Sequence, residues 1–274
     1  MITIIIIFSI IIVVIIVLLI LYIFYKNNGM QKNIHNYAIY DKKESKNYYY
    51  QMNPYFRPFE SVYMSDTVKN EIFKNIDNFK NNSNIFKNKN VPRSLRIIIS
   101  GKEGIGKTTL IEAISTYFNY SIIHFPKNNY SEKMIHEFFN DINSLPMNNI
   151  ILFNNINFNR IIETNKQLYD LLCNFIIKND KNNIFIFTFN NLEDIFESFN
   201  SNFHIHNHYY MDTHINHIMK LVGQYIGDVN KLIEIKHKFL LLNHKLTPGY
   251  IIPYLSFNED FEKSLDRFFK IIKY

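Results

Sequence analysis

Arg96-Ile97-Ile98-Ile99-Ser100 runs directly into Gly101-Lys102-Glu103-Gly104-Ile105-Gly106-Lys107-Thr108, and this junction decides the fold. The first five residues make a short apolar run of the kind found in strands covered on both faces. The next eight match G-x-x-x-x-G-K-[ST], and a helical pattern over 107–118 follows them. Glycines at these positions let a loop turn its amides inward as an anion nest. The helix that starts at Lys107 aims its positive end at the same point. In such a loop the Lys107 ammonium reaches the β- and γ-phosphates and the Thr108 hydroxyl binds Mg²⁺. Gly101, Glu103, Gly104, Ile105, Gly106 and Thr109 complete the nucleotide-binding set, with ATP and Mg²⁺ as the expected cofactors. The chain has only seven glycines, and three of them in this one loop argue against a chance match.

Working outward, three more apolar runs of strand type lie at 121–125, 149–153 and 183–187. Helical periods separate them at 131–142 and 160–178, and another precedes the first strand at 68–79. Alternation of this kind predicts an α/β fold, a P-loop core with a parallel sheet flanked by helices. After Met211 the strand signal stops. Four helical patterns, 213–226, 229–242, 248–255 and 259–272, predict a small all-helical lid. The core is therefore expected over 56–212 and the lid over 213–274.

Residues 2–25 carry no charge, and 10–20 are wholly aliphatic. A helix of that length reaches ~36 Å, enough for a bilayer core of ~30 Å. A cleaved signal peptide fits poorly, because there is no basic n-region and no small-residue cleavage site. Tyr22 and Tyr25 supply interfacial rings, and Lys26, Lys32, Lys42 and Lys43 follow. This predicts a single-pass membrane anchor over 1–25, with the amino terminus outside and the rest on the cytoplasmic or matrix side. Residues 26–55 are polar and tyrosine-rich, and read as a linker, either a tether or a small strand element.

The net charge of +6 is scattered along the chain rather than gathered in a stripe, which does not favour nucleic acid as a partner. The single cysteine, Cys173, excludes an intramolecular disulfide and a thiolate zinc site. Its helical apolar neighbours favour a buried structural thiol over a reactive one.

Several stretches together resemble a known family. Arg57-Pro58-Phe59-Glu60-Ser61-Val62 precedes the 68–79 helix, and Asn90-Val91-Pro92-Arg93 leads into the strand and phosphate loop. Ile184-Phe185-Ile186-Phe187-Thr188-Phe189-Asn190 is similar to a sensor-1 strand, and Leu246-Thr247-Pro248 with Tyr254-Leu255 is similar to a lid. The order resembles AAA ATPases of the Bcs1 type, over about residues 56–270. The resemblance implies ATP hydrolysis, Asn190 as the sensor-1 residue, a homo- or hetero-oligomeric ring and a protein client that the sequence does not name. The family's middle domain, thought to handle the client, is missing or reduced to the 26–55 stretch.

Two departures bear on activity. The strand Ile150-Ile151-Leu152-Phe153 stands where a Walker B strand belongs, and it ends in Asn154-Asn155-Ile156-Asn157. Acid, acid and acid are replaced by three amides, which cannot accept a proton at neutral pH. Asn154 and Asn155 thus mark a degenerate Walker B. The family also places its arginine fingers after sensor 1, yet Asn190 to Asp212 contains neither Arg nor Lys. Two readings stand side by side: a slow, divergent ATPase, and a pseudo-ATPase that binds nucleotide as a scaffold or ring partner. Finally, His204, His206 and His208 alternate. On a strand they would share one face, as a metal site or, more commonly, as a partly exposed surface.

Overall fold

The computed structural model describes residues 36–41, 46–51, 57–82, 93–126, 131–145, 148–179, 181–195, 199–212, 214–226, 228–241, 246–256 and 261–272. Their strands are β1 (Asn36–Asp41), β2 (Lys46–Gln51), β3 (Leu95–Ser100), β4 (Ser121–His124), β5 (Asn149–Asn154), β6 (Ile184–Phe189) and β7 (Asn207–Tyr210). They form one sheet in the order β2-β1-β4-β5-β6-β3-β7. The five strands from β4 to β7 are parallel, β1 joins β4 in parallel, and β2 pairs antiparallel with β1. The tyrosine-rich stretch therefore contributes a strand pair that extends the sheet edge. Residues 1–25, on which the anchor expectation rests, lie outside the described residues. Among the described residues no helix is long and apolar enough to cross a membrane.

Helices cover both faces, which is why the central strands are apolar without alternation. All six residues of β3 and all six of β6 are buried. The pleat still sorts their side chains. Ile97, Ile99, Ile150, Leu152, Ile184 and Ile186 pack on one face with α1 (Asp66–Asn81) and α2 (Lys107–Phe118). Ile98, Ile151, Phe153, Phe185 and Phe187 pack on the other. There they meet α3 (Glu132–Ser144), α4 (Phe158–Thr164) and α5 (Lys166–Lys178). The second face is aromatic: Phe153 stacks on Phe187 at 4.9 Å, and Phe199, from the short helix α6 (Phe199–Asn202), meets Phe158 at 5.1 Å. Cys173 is buried in this cluster, and burial pushes its thiol up to about 12, so it serves as a core residue rather than a nucleophile.

The sequence pattern treated 160–178 as a single helix, and the structure breaks it. Asn165 adopts an extended backbone that closes α4, and its side chain accepts from Leu168 N–H to cap α5. Asparagine suits this hinge because its short amide replaces the missing intrahelical partner. Four helices follow the sheet, α7 (Ile215–Gly223), α8 (Val229–Leu241), α9 (Pro248–Ser256) and α10 (Phe261–Ile272), over the stretch where the helical lid is expected. Ile218, Leu221, Val222, Phe239, Ile251 and Phe268 give these helices their own small core.

Candidate phosphate-binding site

The loop sits at the carboxyl end of β3, between β6 and β7, and is gripped from both sides. Gly101 N–H donates to Phe189 C=O at 3.1 Å, while Met211 N–H donates to Ser100 C=O at 2.7 Å. A Cβ on Gly101 would lie 2.4 Å from Met211 O, so only glycine fits where the loop leaves the sheet. Gly106 caps α2 at φ +106°, a left-handed conformation open to glycine. A Cβ there would meet nothing within 4 Å. Open space therefore lies beside the first amides of α2, as a phosphate cradle requires.

Lys107 is 8% exposed. Its Nζ donates to Lys102 C=O at 3.0 Å, to Asn190 Oδ1 at 2.9 Å, and also to Gly101 C=O. Burial lowers its pKa, and Glu103 opposes that shift. The ammonium is thus held at the loop mouth by neutral acceptors, without an ion pair that a phosphate would have to break. Asn190, at the end of β6, is the residue the sensor-1 resemblance singles out, and the fold brings it to the loop lysine. Of the other expected loop residues, Glu103 and Thr108 are exposed, Thr109 is half-buried, and the Ile105 side chain packs into the core. Ile105 can therefore offer a nucleotide only its backbone.

Residues 97–211 match the family model of the ATPase family associated with various cellular activities (AAA). They are an AAA-type nucleotide-binding domain. Among solved structures, C. elegans PCH-2 matches with a TM-score of 0.57 at 12% identity, over 80% of this chain and 71% of that one. The FIGL-1 AAA domain matches with a TM-score of 0.56 at 13% identity, over 78% of this chain and 83% of that one. Identity this low speaks for the fold alone. No curated protein matches the sequence.

Within the AAA domain the three amides after β5 have separate fates. Asn154 Oδ1 accepts from Thr188 Oγ1 at 2.9 Å, which fastens it to β6. Asn155, at φ +52°, donates its backbone N–H to the same threonine hydroxyl at 3.1 Å and leaves its side chain exposed. Asn157 Oδ1 accepts from Arg160 N–H at 2.9 Å and caps α4, so it is spent on the helix. Asn155 and Asn190 line a cleft of about 690 Å³ together with Arg160, Glu163 and Asp194. Arg160 and Glu163 come from α4 and were not expected at the site. The residue that could hold Mg²⁺ is Thr108, through its hydroxyl, while the Asn154 amide oxygen is engaged by Thr188. A hydroxyl is a neutral oxygen donor, which suits the ion but adds no charge to hold it.

The histidines take structural roles. β7 starts only at Asn207, and His204 lies before it in a turn at φ +49°, so the three rings do not share a strand face. His206 Nδ1 accepts from Arg96 N–H at 3.1 Å, and His208 Nε2 lies 2.7 Å from Ser100 Oγ. Among the described residues no group of three or more His, Cys, Asp or Glu could hold a metal. Desolvation lowers the pKa of both rings, and Arg96 lowers that of His206 further. A group whose folded pKa is depressed gives stability that is present above its unfolded pKa and lost as pH falls below it. Thermal unfolding followed from neutral pH downward should thus show stability falling from about pH 6.5, and His208→Gln should blunt the fall.

Proposed function

We propose that this chain is a membrane-anchored, ATP-binding AAA protein, resembling the Bcs1 type, in which hydrolysis is weak or lost. The observation that carries the binding half is the Lys107 ammonium held between the carbonyls of the 101–102 turn and Asn190, with open space beside Gly106 at the start of α2. The weak-turnover half rests on amides where AAA ATPases carry carboxylates, one of them fastened to Thr188 and one spent as a helix cap. A positioned general base is worth ~10²–10⁴-fold in rate, and an amide cannot serve as one. Mg²⁺, when bound, would neutralise phosphate charge from Thr108 and the phosphates themselves. The anchor rests on the uncharged run over residues 2–25. It puts the AAA domain on the cytoplasmic or matrix side. AAA family members commonly form rings, which supports assembly with copies of this chain or with active partners that supply the absent arginine.

A second reading, a slow ATPase, is favoured by one observation: Arg160 and Glu163 put a cation and a carboxylate into the cleft beside Asn155 and Asn190. ATP binding and phosphate release, measured on the full chain in detergent, separate the two. Binding with release at background supports the proposal. Release above background that vanishes in both Lys107→Ala and Glu163→Gln supports the slow ATPase. Absence of ATP binding contradicts both.

A further inference from the structure

His214 stands three residues after Met211, which binds Ser100 at the root of the phosphate loop, and it caps α7, the first helix beyond the sheet. Its ring takes the place of the serine, threonine or aspartate ordinarily found there: Nδ1 accepts from Asn216 N–H at 3.3 Å. That bond exists only while Nδ1 keeps its lone pair, so it requires the neutral ring. His217 follows one turn on, with its ring centroid 5.8 Å from that of His214. Its backbone N–H closes the turn on His214 C=O at 2.8 Å, and its Nδ1 is buried without a hydrogen-bond partner. A proton arriving at that nitrogen would be a buried donor with nothing to accept it.

The surroundings also disfavour charge on either ring. Both sit at the positive end of the α7 dipole. The charged groups acting on His217 are Lys220 and His214 of its own helix and Asp66 and Lys69 of α1. Only Asp66 among these is acidic, and Lys220 already lies 3.9 Å from it. Glu60 bears on Lys69 in turn, and Asp212 precedes His214 by two residues. α8 and α9 also pack on α7, and among the described residues they add no charge to His217. Desolvation lowers the His217 pKa, and His214, Lys220 and Lys69 lower it further against the pull of Asp66. We infer that the start of α7 is an acid-sensitive joint between the sheet and the helices that follow it: its first turn is closed while His214 and His217 are neutral and opens once they take up protons. The sign follows from linkage. A ring whose folded pKa is depressed gives stability that is full above its unfolded pKa and is lost as pH falls below it, so the joint loosens on the acid side of neutrality. The joint does not depend on the ATP-binding reading.

Hydrogen–deuterium exchange on the full chain in detergent, corrected for the intrinsic pH dependence of exchange, reads the joint directly. The buried helix α5 serves as the internal reference. Between about pH 7.5 and about pH 5.5, the stretch 214–223 should lose protection about 10-fold more than α5 does, the effect of one lost helix cap with its dipole contribution. His214→Ser combined with His217→Gln keeps a cap acceptor at every pH and removes both titrations. Its protection over 214–223 should stay within about twofold of α5 across the same range. Where that double variant does not fold at neutral pH, His214→Ser alone carries the test, with a relative loss of about threefold expected. Wild-type protection over 214–223 that stays level with α5 overturns the inference. So does the full wild-type loss persisting in either variant, since other groups would then drive it.

Discussion

Replacing Lys107 with alanine is expected to weaken ADP and ATP binding by roughly 10²-fold while leaving the fold intact. The ammonium is buried at the loop mouth and bonded to two backbone carbonyls and Asn190. Charge-assisted hydrogen bonds to phosphate are about twice as strong as neutral ones, and losing a buried one costs about 2–5 kcal/mol of binding. The stability side runs the other way. Burial lowers the Lys107 pKa, so its charged form is held at a cost in the folded chain. Alanine removes that cost, along with the three hydrogen bonds that offset it. Equilibrium titration with a fluorescent ADP analogue, beside a melting curve without ligand, checks both parts. A variant that melts like wild type and binds nucleotide like wild type would show that the loop lysine is not at the binding site.

Restoring the carboxylates should act in the opposite direction. Asn154→Asp with Asn155→Glu is expected to raise phosphate release by ~10²-fold or more, the lower end of what a positioned base contributes. Geometry favours a gain. Thr188 Oγ1 already donates to Asn154 Oδ1 at 2.9 Å, and an aspartate can accept the same bond. Asn155 is exposed toward the cleft that also holds Asn190, so a glutamate there has room to reach an attacking water. Its φ of +52° is one that asparagine tolerates better than glutamate, which sets a strain cost on the second change. The Asn154→Asp single variant separates that strain from the chemistry. A double variant that binds ATP and turns it over no faster would place the defect elsewhere, most directly in the stretch after Asn190 that lacks arginine.

The core was legible because burial on both faces leaves no ambiguity in apolar runs such as Ile97-Ile98-Ile99 and Ile184-Phe185-Ile186-Phe187. The loop was legible because its glycines and lysine have a fixed spacing. What the sequence hid were contacts that depend on distant pairing. Asn165 interrupts a continuous helical period through one side-chain cap, and in a chain so rich in asparagine that residue carried no local warning. The alternating histidines looked like one strand face, but the left-handed turn at His204 removes it from the strand. Arg160 and Glu163 reach the cleft only because α4 folds back beside β6. Thr247 belonged to the stretch that resembles a lid, yet its unpaired hydroxyl shows only once α9 lies on Gly104.

The central claim is that the bend after Ser100 holds the phosphates of a nucleotide. Calorimetric titration of the full chain with ADP and Mg²⁺ tests it most directly. One molecule bound per chain, with a dissociation constant around the micromolar range or tighter (about −8 kcal/mol), is the predicted result. A folded sample that takes up no ADP at roughly millimolar concentration would contradict it.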